Sequence, residues 1–264
     1  MMGRANRFIP KILRGFFSER PFNSMVPPKA MRFVGKGDFE KIGKEFRAHF
    51  IDIGKLKPTD RVLDVGCGIG RMAIPLTEYL SPEGGYWGFD IVRKGIDWCN
   101  ERITPRFLNF NFQHSDVYNQ HYNPGGTTRA ADYVFPFDDG QFDFVFLTSV
   151  FTHMVPGDLE NYLKEIARVL RPGGRCLITL FLLNDISRPL ITEGKSDLDF
   201  RFDMGGYLTT KFDDPETAIA YDEQFIRGLF PRCGLAIEQP VHFGSWCGRS
   251  EHLSYQDIFI ANRQ

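Results

Sequence analysis

The chain lacks any apolar run approaching the roughly 20 residues that a membrane-spanning helix requires. It also lacks an excess of either charge: 32 Lys and Arg face 33 Asp and Glu, a formal net charge of −1. No global field therefore draws it to nucleic acid. Its five cysteines (Cys67, Cys99, Cys176, Cys233 and Cys247) show neither C-x-x-C nor zinc spacing. This excludes a zinc module or a disulfide scaffold and fits free thiols in a reducing cytoplasm, with no metal expected. At 264 residues, 42% apolar and 25% charged, the chain suits one large soluble domain or a domain plus a lid.

What is present is concentrated in Arg61–Arg71. The run Arg61-Val-Leu-Asp64-Val65 reads as a buried strand. Gly66, Gly68 and Gly70 then break it, and Met72–Leu80 resumes with helical spacing. Strand, glycine turn and helix in that order are expected to put backbone N–H groups at the mouth of a sheet. A dinucleotide fingerprint wants G-x-G-x-x-G. Here the spacing is G-x-G-x-G, and Arg71 stands where the last glycine of that fingerprint belongs. An acid ahead of the glycines also suits an amine-bearing ligand better than a pyrophosphate, so NAD is disfavoured.

Companion segments follow at regular distances. Tyr86–Asp90 is a second strand ending in an acid, and Phe110–Asp116 a third. Gln141–Thr148 reads as the fourth strand and Cys176–Leu183, after the turn Pro172-Gly-Gly174, as the fifth. Helices are expected over Phe39–Lys55 (with Asp38 as N-cap), Ile91–Arg102, Asp158–Leu170 and Glu223–Phe230. Leu235–Phe243 and Leu253–Ala261 are expected to close the sheet as an antiparallel pair.

Asp64-Val-Gly-Cys-Gly-Ile-Gly70 resembles motif I of the class I S-adenosylmethionine-dependent methyltransferases, and the companions keep that family's order over roughly residues 39–181. The resemblance implies an α/β fold with a doubly wound, seven-stranded mixed sheet, and S-adenosylmethionine as methyl donor. It implies that Asp64 organises the glycine turn and the methionine amine, with Gly66, Cys67 and Gly68 approaching by backbone. It implies that Asp90, with Ile91, takes the ribose, and that Asp116, with Val117, meets the adenine. The backbone at Leu147 and Thr148 would hold the methionine end, and His153, just beyond the fourth strand, would act as a general base. Each acid also has a plain structural reading: Asp90 as a helix N-cap, Asp116 as a turn residue. The alternative for His153 is a structural histidine at a helix end. The N/D-P-P-Y acceptor signature of nitrogen methyltransferases is absent, the segment being Leu147-Thr-Ser-Val150. An aminopropyltransferase would need acids where Thr148 and Ser149 stand.

Two stretches exceed the minimal fold, residues 118–134 and 184–222, and both are expected on the acceptor side of a domain spanning 39–264. Tyr118, His121, Tyr122 and Arg129 in the first are candidate acceptor contacts, as are Trp246 and Arg249 in the late glycine-rich loop. Aromatic faces beside polar donors suit a sugar, so a hydroxyl of a saccharide or glycolipid is the expected acceptor. A lipid or small natural product is the alternative, and a catalytically silent scaffold is the reading from another class. Residues 1–38 form a basic, amphipathic arm and linker. Residues 1–22 of it are expected either to lie on an anionic membrane surface at the inner face or to pack on this domain or a second subunit. Its apolar blocks are too short for a signal peptide.

Overall fold

The computed structural model describes residues 24–33, 35 and 37–264. The amphipathic arm at residues 1–22 lies outside them. Helix α1 (Phe39–Asp52) begins at Asp38, whose carboxylate accepts the amides of Glu40 and Lys41. Strand β1 (Arg61–Val65) is buried from Val62 onward, as a central strand covered on both faces must be. The helix after it, α2, spans only Ala73–Leu76. The expected helix to Leu80 is cut short where the Thr77 hydroxyl takes the Ile74 carbonyl at 2.6 Å, a side chain competing with the helical ladder.

There follow β2 (Gly85–Asp90), α3 (Arg93–Arg102), β3 (Phe110–His114), β4 (Phe142–Leu147) and α4 (Pro156–Val169). Strand β5 (Leu170–Leu180) contains the Pro172–Gly174 turn as an irregularity, and its pairing with β4 shifts register there. Then come β6 (Leu182–Leu183), α5 (Ser187–Thr192), β7 (Phe202–Asp203), β8 (Tyr207–Thr209), β9 (Ile219–Asp222), α6 (Glu223–Arg232), β10 (Leu235–Ile237) and β11 (Asp257–Arg263).

Seven strands form one sheet in the order β10-β11-β5-β4-β1-β2-β3. Pairs among β3, β2, β1, β4 and β5 are parallel, and β11 runs antiparallel to β5 and β10. This is the expected doubly wound mixed sheet, with its last pair far shorter at β10 than expected. Apolar residues of α1, α2 and α3 pack on one face and those of α4 and α6 on the other. A second sheet, β6-β9-β8-β7, was not foreseen. It folds the insertion at 184–222 over a third, smaller core that includes Phe181, Phe200 and Trp246. Parallel strands end together, so β1, β2 and β4 bring their carboxyl ends to one edge. Ligands of open α/β sheets bind in the crevice at that edge.

Candidate active site

Gly66, Gly68 and Gly70 all take positive φ (81°, 58° and 83°). A Cβ on Gly66 would come within 2.5 Å of Val150, and one on Gly70 within 2.9 Å of Ile103 of the segment behind α3. So the third glycine serves packing and the first serves closure across the crevice. The amides do not face outward as expected. Gly66 and Cys67 donate to the Phe89 carbonyl at 2.9 and 3.0 Å, and Gly68 donates to Asp90 Oδ2 at 2.7 Å. With these amides spent on the sheet, the turn is not a phosphate cradle. Cys67 turns its thiol inward, against the position a Cβ on Gly88 would need, and burial pushes that thiol well up.

Asp64 ends inside the molecule with no exposure. One carboxylate oxygen accepts the Tyr86 hydroxyl and the other has no hydrogen-bond partner. Burial pushes its pKa up to about 8; the Tyr86 hydrogen bond and Arg71 oppose that, and Asp90 adds to it. Asp64 is a half-satisfied buried carboxylate just ahead of the glycine turn. Asp90 accepts Gly68 and Val92 amides on its two oxygens, both at 2.7 Å, and burial raises its pKa. It thus ties the glycine turn to the bend that leads into α3, whose N-cap is Val92 without a side-chain cap, so the helix N-cap reading of Asp90 does not hold. Ile91 and Val117 flank this edge, and Val117 is buried. Asp116 lies exposed and bonds Thr127 Oγ1 at 2.6 Å, which holds its carboxylate below the ordinary range.

At the end of β4, Leu147 is buried and Thr148 half-buried. A 3-10 turn, Phe151–His153, then carries His153. Its Nδ1 lies 2.8 Å from the Glu216 carbonyl, so Nδ1–H donates and the accepting lone pair resides on Nε2. Burial lowers its pKa, leaving it neutral near pH 7. Tyr122 meets it edge to face at 5.8 Å, and Asp90 contributes to the raised pKa of the Tyr122 hydroxyl after burial does. The Tyr122 ring thus forms one wall beside the histidine.

The first insertion is ordered. Tyr118 donates to Thr128, and Asn119 exchanges backbone bonds with Asn123. Asn119 Nδ2 reaches Glu216 at 3.1 Å, while His121 lies 2.9 Å from Asp214 and 3.2 Å from Thr217. The two insertions thus clasp one another beside His153. Other acceptor candidates separate from this cluster. Trp246, expected to be exposed, is fully buried and donates to Asp257 Oδ2 at 2.8 Å, because the small core beneath the second sheet needs its ring. Arg249 sits in the same late loop, its guanidinium 4.4 Å over Phe243. Arg129 is exposed and paired with Asp132 at 2.7 Å, and Tyr118 is 44% exposed. Sequence reasoning missed Tyr86, Asp214, Glu216, Ser149 and Gln256. Only the turn signal Asp214-Pro215 marked any of them.

A sheet of this order, with a glycine turn after β1 and an acid late in β1 and at the end of β2, has the class I, Rossmann-like methyltransferase fold. The methyltransferase-domain family model matches residues 63–178. The chain is 30% identical over 224 residues to the demethylmenaquinone methyltransferase of Staphylococcus epidermidis, covering 81% of this chain and 83% of that one. It belongs to this family of S-adenosylmethionine-dependent methyltransferases. Phthiotriol/phenolphthiotriol dimycocerosates methyltransferase 1 of Mycobacterium ulcerans is 35% identical over 119 residues, 45% of this chain; the match spans 36% of that protein's length. Magnesium protoporphyrin IX methyltransferase of Synechocystis, solved with bound S-adenosylhomocysteine, superposes with a TM-score of 0.53 at 17% identity, over 87% of this chain and 90% of that one. No helix among the described residues is long and apolar enough to cross a membrane.

Proposed function

We propose that the enzyme methylates a hydroxyl on a lipid-like or quinol-like small acceptor, with His153 as the base. The donor supplies an activated methyl on a positively charged sulfur, so the protein's task is alignment and removal of the acceptor proton. Asp64 offers its unpartnered oxygen to the donor's amine. Gly66 and Gly68 let the donor lie against the backbone, and Asp90 takes the ribose hydroxyls. Leu147 and Thr148 border the methionine end, and Asp116 with Val117 the adenine side. His153 Nε2 accepts the hydroxyl proton, its tautomer fixed by the Glu216 carbonyl.

That fixed, neutral histidine beside an aromatic wall is the observation that carries the reading. The acceptor class is supported by relatives named for demethylmenaquinone and for phthiotriol dimycocerosates. A sugar-borne hydroxyl is the second reading, favoured by the polar and aromatic loop at 118–129. The test is release of S-adenosylhomocysteine by the purified protein against hydroxylated lipids, quinols in detergent and free saccharides. Turnover with the first two alone supports the proposal; turnover with saccharides alone replaces it with the second reading.

A further inference from the structure

Two described non-glycine residues have positive φ: Lys55, in an exposed turn, and Ser149, at +62° beside the crevice. The left-handed region crowds Cβ against the carbonyl and persists in an L residue only where its surroundings over-determine it. At Ser149 they do so through a ring of hydrogen bonds. The Ser149 amide donates to Thr179 Oγ1 at 2.8 Å, and the Thr179 hydroxyl donates to Gln256 Oε1 at 2.6 Å. Ser149 Oγ donates to the same Oε1 at 3.0 Å, closing the ring. Thr179 has no exposure and Gln256 is buried. The ring thus ties the end of β4 to β5 and to the residue preceding β11.

The next residue shows what the bend achieves. Val150 lies over Gly66, so close that a Cβ there would meet it at 2.5 Å. The turn bearing His153 starts immediately after. Were Ser149 to relax to an ordinary φ, Val150 would lift from the glycine turn.

We propose that Thr179 and Gln256 are positioning residues for methyl transfer, holding Ser149 left-handed so that Val150 closes the donor's seat at Gly66. This rests on the reading of the glycine turn as that seat, and binding of S-adenosylhomocysteine reports on it without any acceptor. Titration calorimetry should show Gln256→Leu binding about tenfold more weakly, since two of the three bonds that lock the disfavoured conformer are lost. Adding Ser149→Gly should restore binding to within about twofold, because glycine takes positive φ without a lock.

Thr179→Val and Thr179→Ser form a second pair should Gln256→Leu not fold; the valine variant should lose affinity and the serine variant retain it. Melting temperatures separate a fold defect from a seat defect. Unchanged affinity in Gln256→Leu or Thr179→Val overturns the proposal, as does a loss that Ser149→Gly fails to repair. Asp64→Asn in the same titration checks the seat itself: if it binds like the parent protein, the seat reading fails, independently of the ring.

Discussion

The donor side and the acceptor side of this crevice are built in different ways. On the donor side, Asp64, Gly66, Gly68 and Asp90 lie within a few turns of chain and are brought together by parallel pairing of β1 with β2. On the acceptor side, Asn119 and Glu216 are 97 residues apart and meet only because two insertions fold against one another. Short-range construction leaves a pattern of glycines and acids. Long-range construction leaves none, since either partner alone is an unremarkable loop residue. Under the function proposed above, the difference also divides the chemistry: one side would hold the methyl group still, and the other would decide what receives it.

Four substitutions or conditions probe that division. The largest effect is expected from His153→Ala, which should lower kcat by about 10²-fold or more while donor affinity stays unchanged, read by turnover and calorimetry. Loss of donor affinity instead would move His153 to the other side of the comparison. Next, Asp64→Asn should weaken donor binding by about 10- to 100-fold, as a buried charged partner is removed from the amine.

The third effect is on pH. Asp64 must ionise to hold an ammonium, and its pKa of about 8 lies above the ordinary value. Donor affinity should therefore rise with pH towards 8, by up to about tenfold per unit, with proton release on binding below that. In the donor-free protein the sign is opposite. A carboxyl whose folded pKa is raised loses stability as pH climbs from about 4 to 8, so Asp64→Asn should gain melting temperature at pH 8 relative to parent, and little at pH 4. The smallest effect is expected from Asn119→Ala, a several-fold rise in acceptor KM with donor affinity untouched; a change in donor affinity would show that the clasp is not confined to its own side.

Legibility in the sequence followed the same line. The seven-stranded sheet was readable from its apolar runs, of which β1 and β2 end at a glycine and an acid, and Asp38 announced the start of α1. Strand ends were less so: the segments 238–243 and 253–256 were expected in strands but lie in the connection between β10 and β11, where His242 makes an isolated bridge to Ile258. The helix after β1 failed at Thr77, where one hydroxyl outweighed a good periodic pattern. Trp246 was misplaced because glycines and serines around it suggested an exposed loop. Its burial depends on Phe181 and Phe200, both remote in sequence, and its indole N–H is met by Asp257. The second sheet was illegible for a similar reason: its strands have two to four residues each, too few to display a period.

The placement of Trp246 gives the protein its own optical reporter. Of its three tryptophans, Trp87 and Trp98 are half-buried, whereas Trp246 is sealed beneath the second sheet with its indole N–H on a carboxylate. Its emission should be the bluest of the three and should shift red when that sheet opens, even while the larger sheet stays intact. Mild urea followed by fluorescence would then reveal whether the acceptor side unlatches as a unit of its own, before the donor side does.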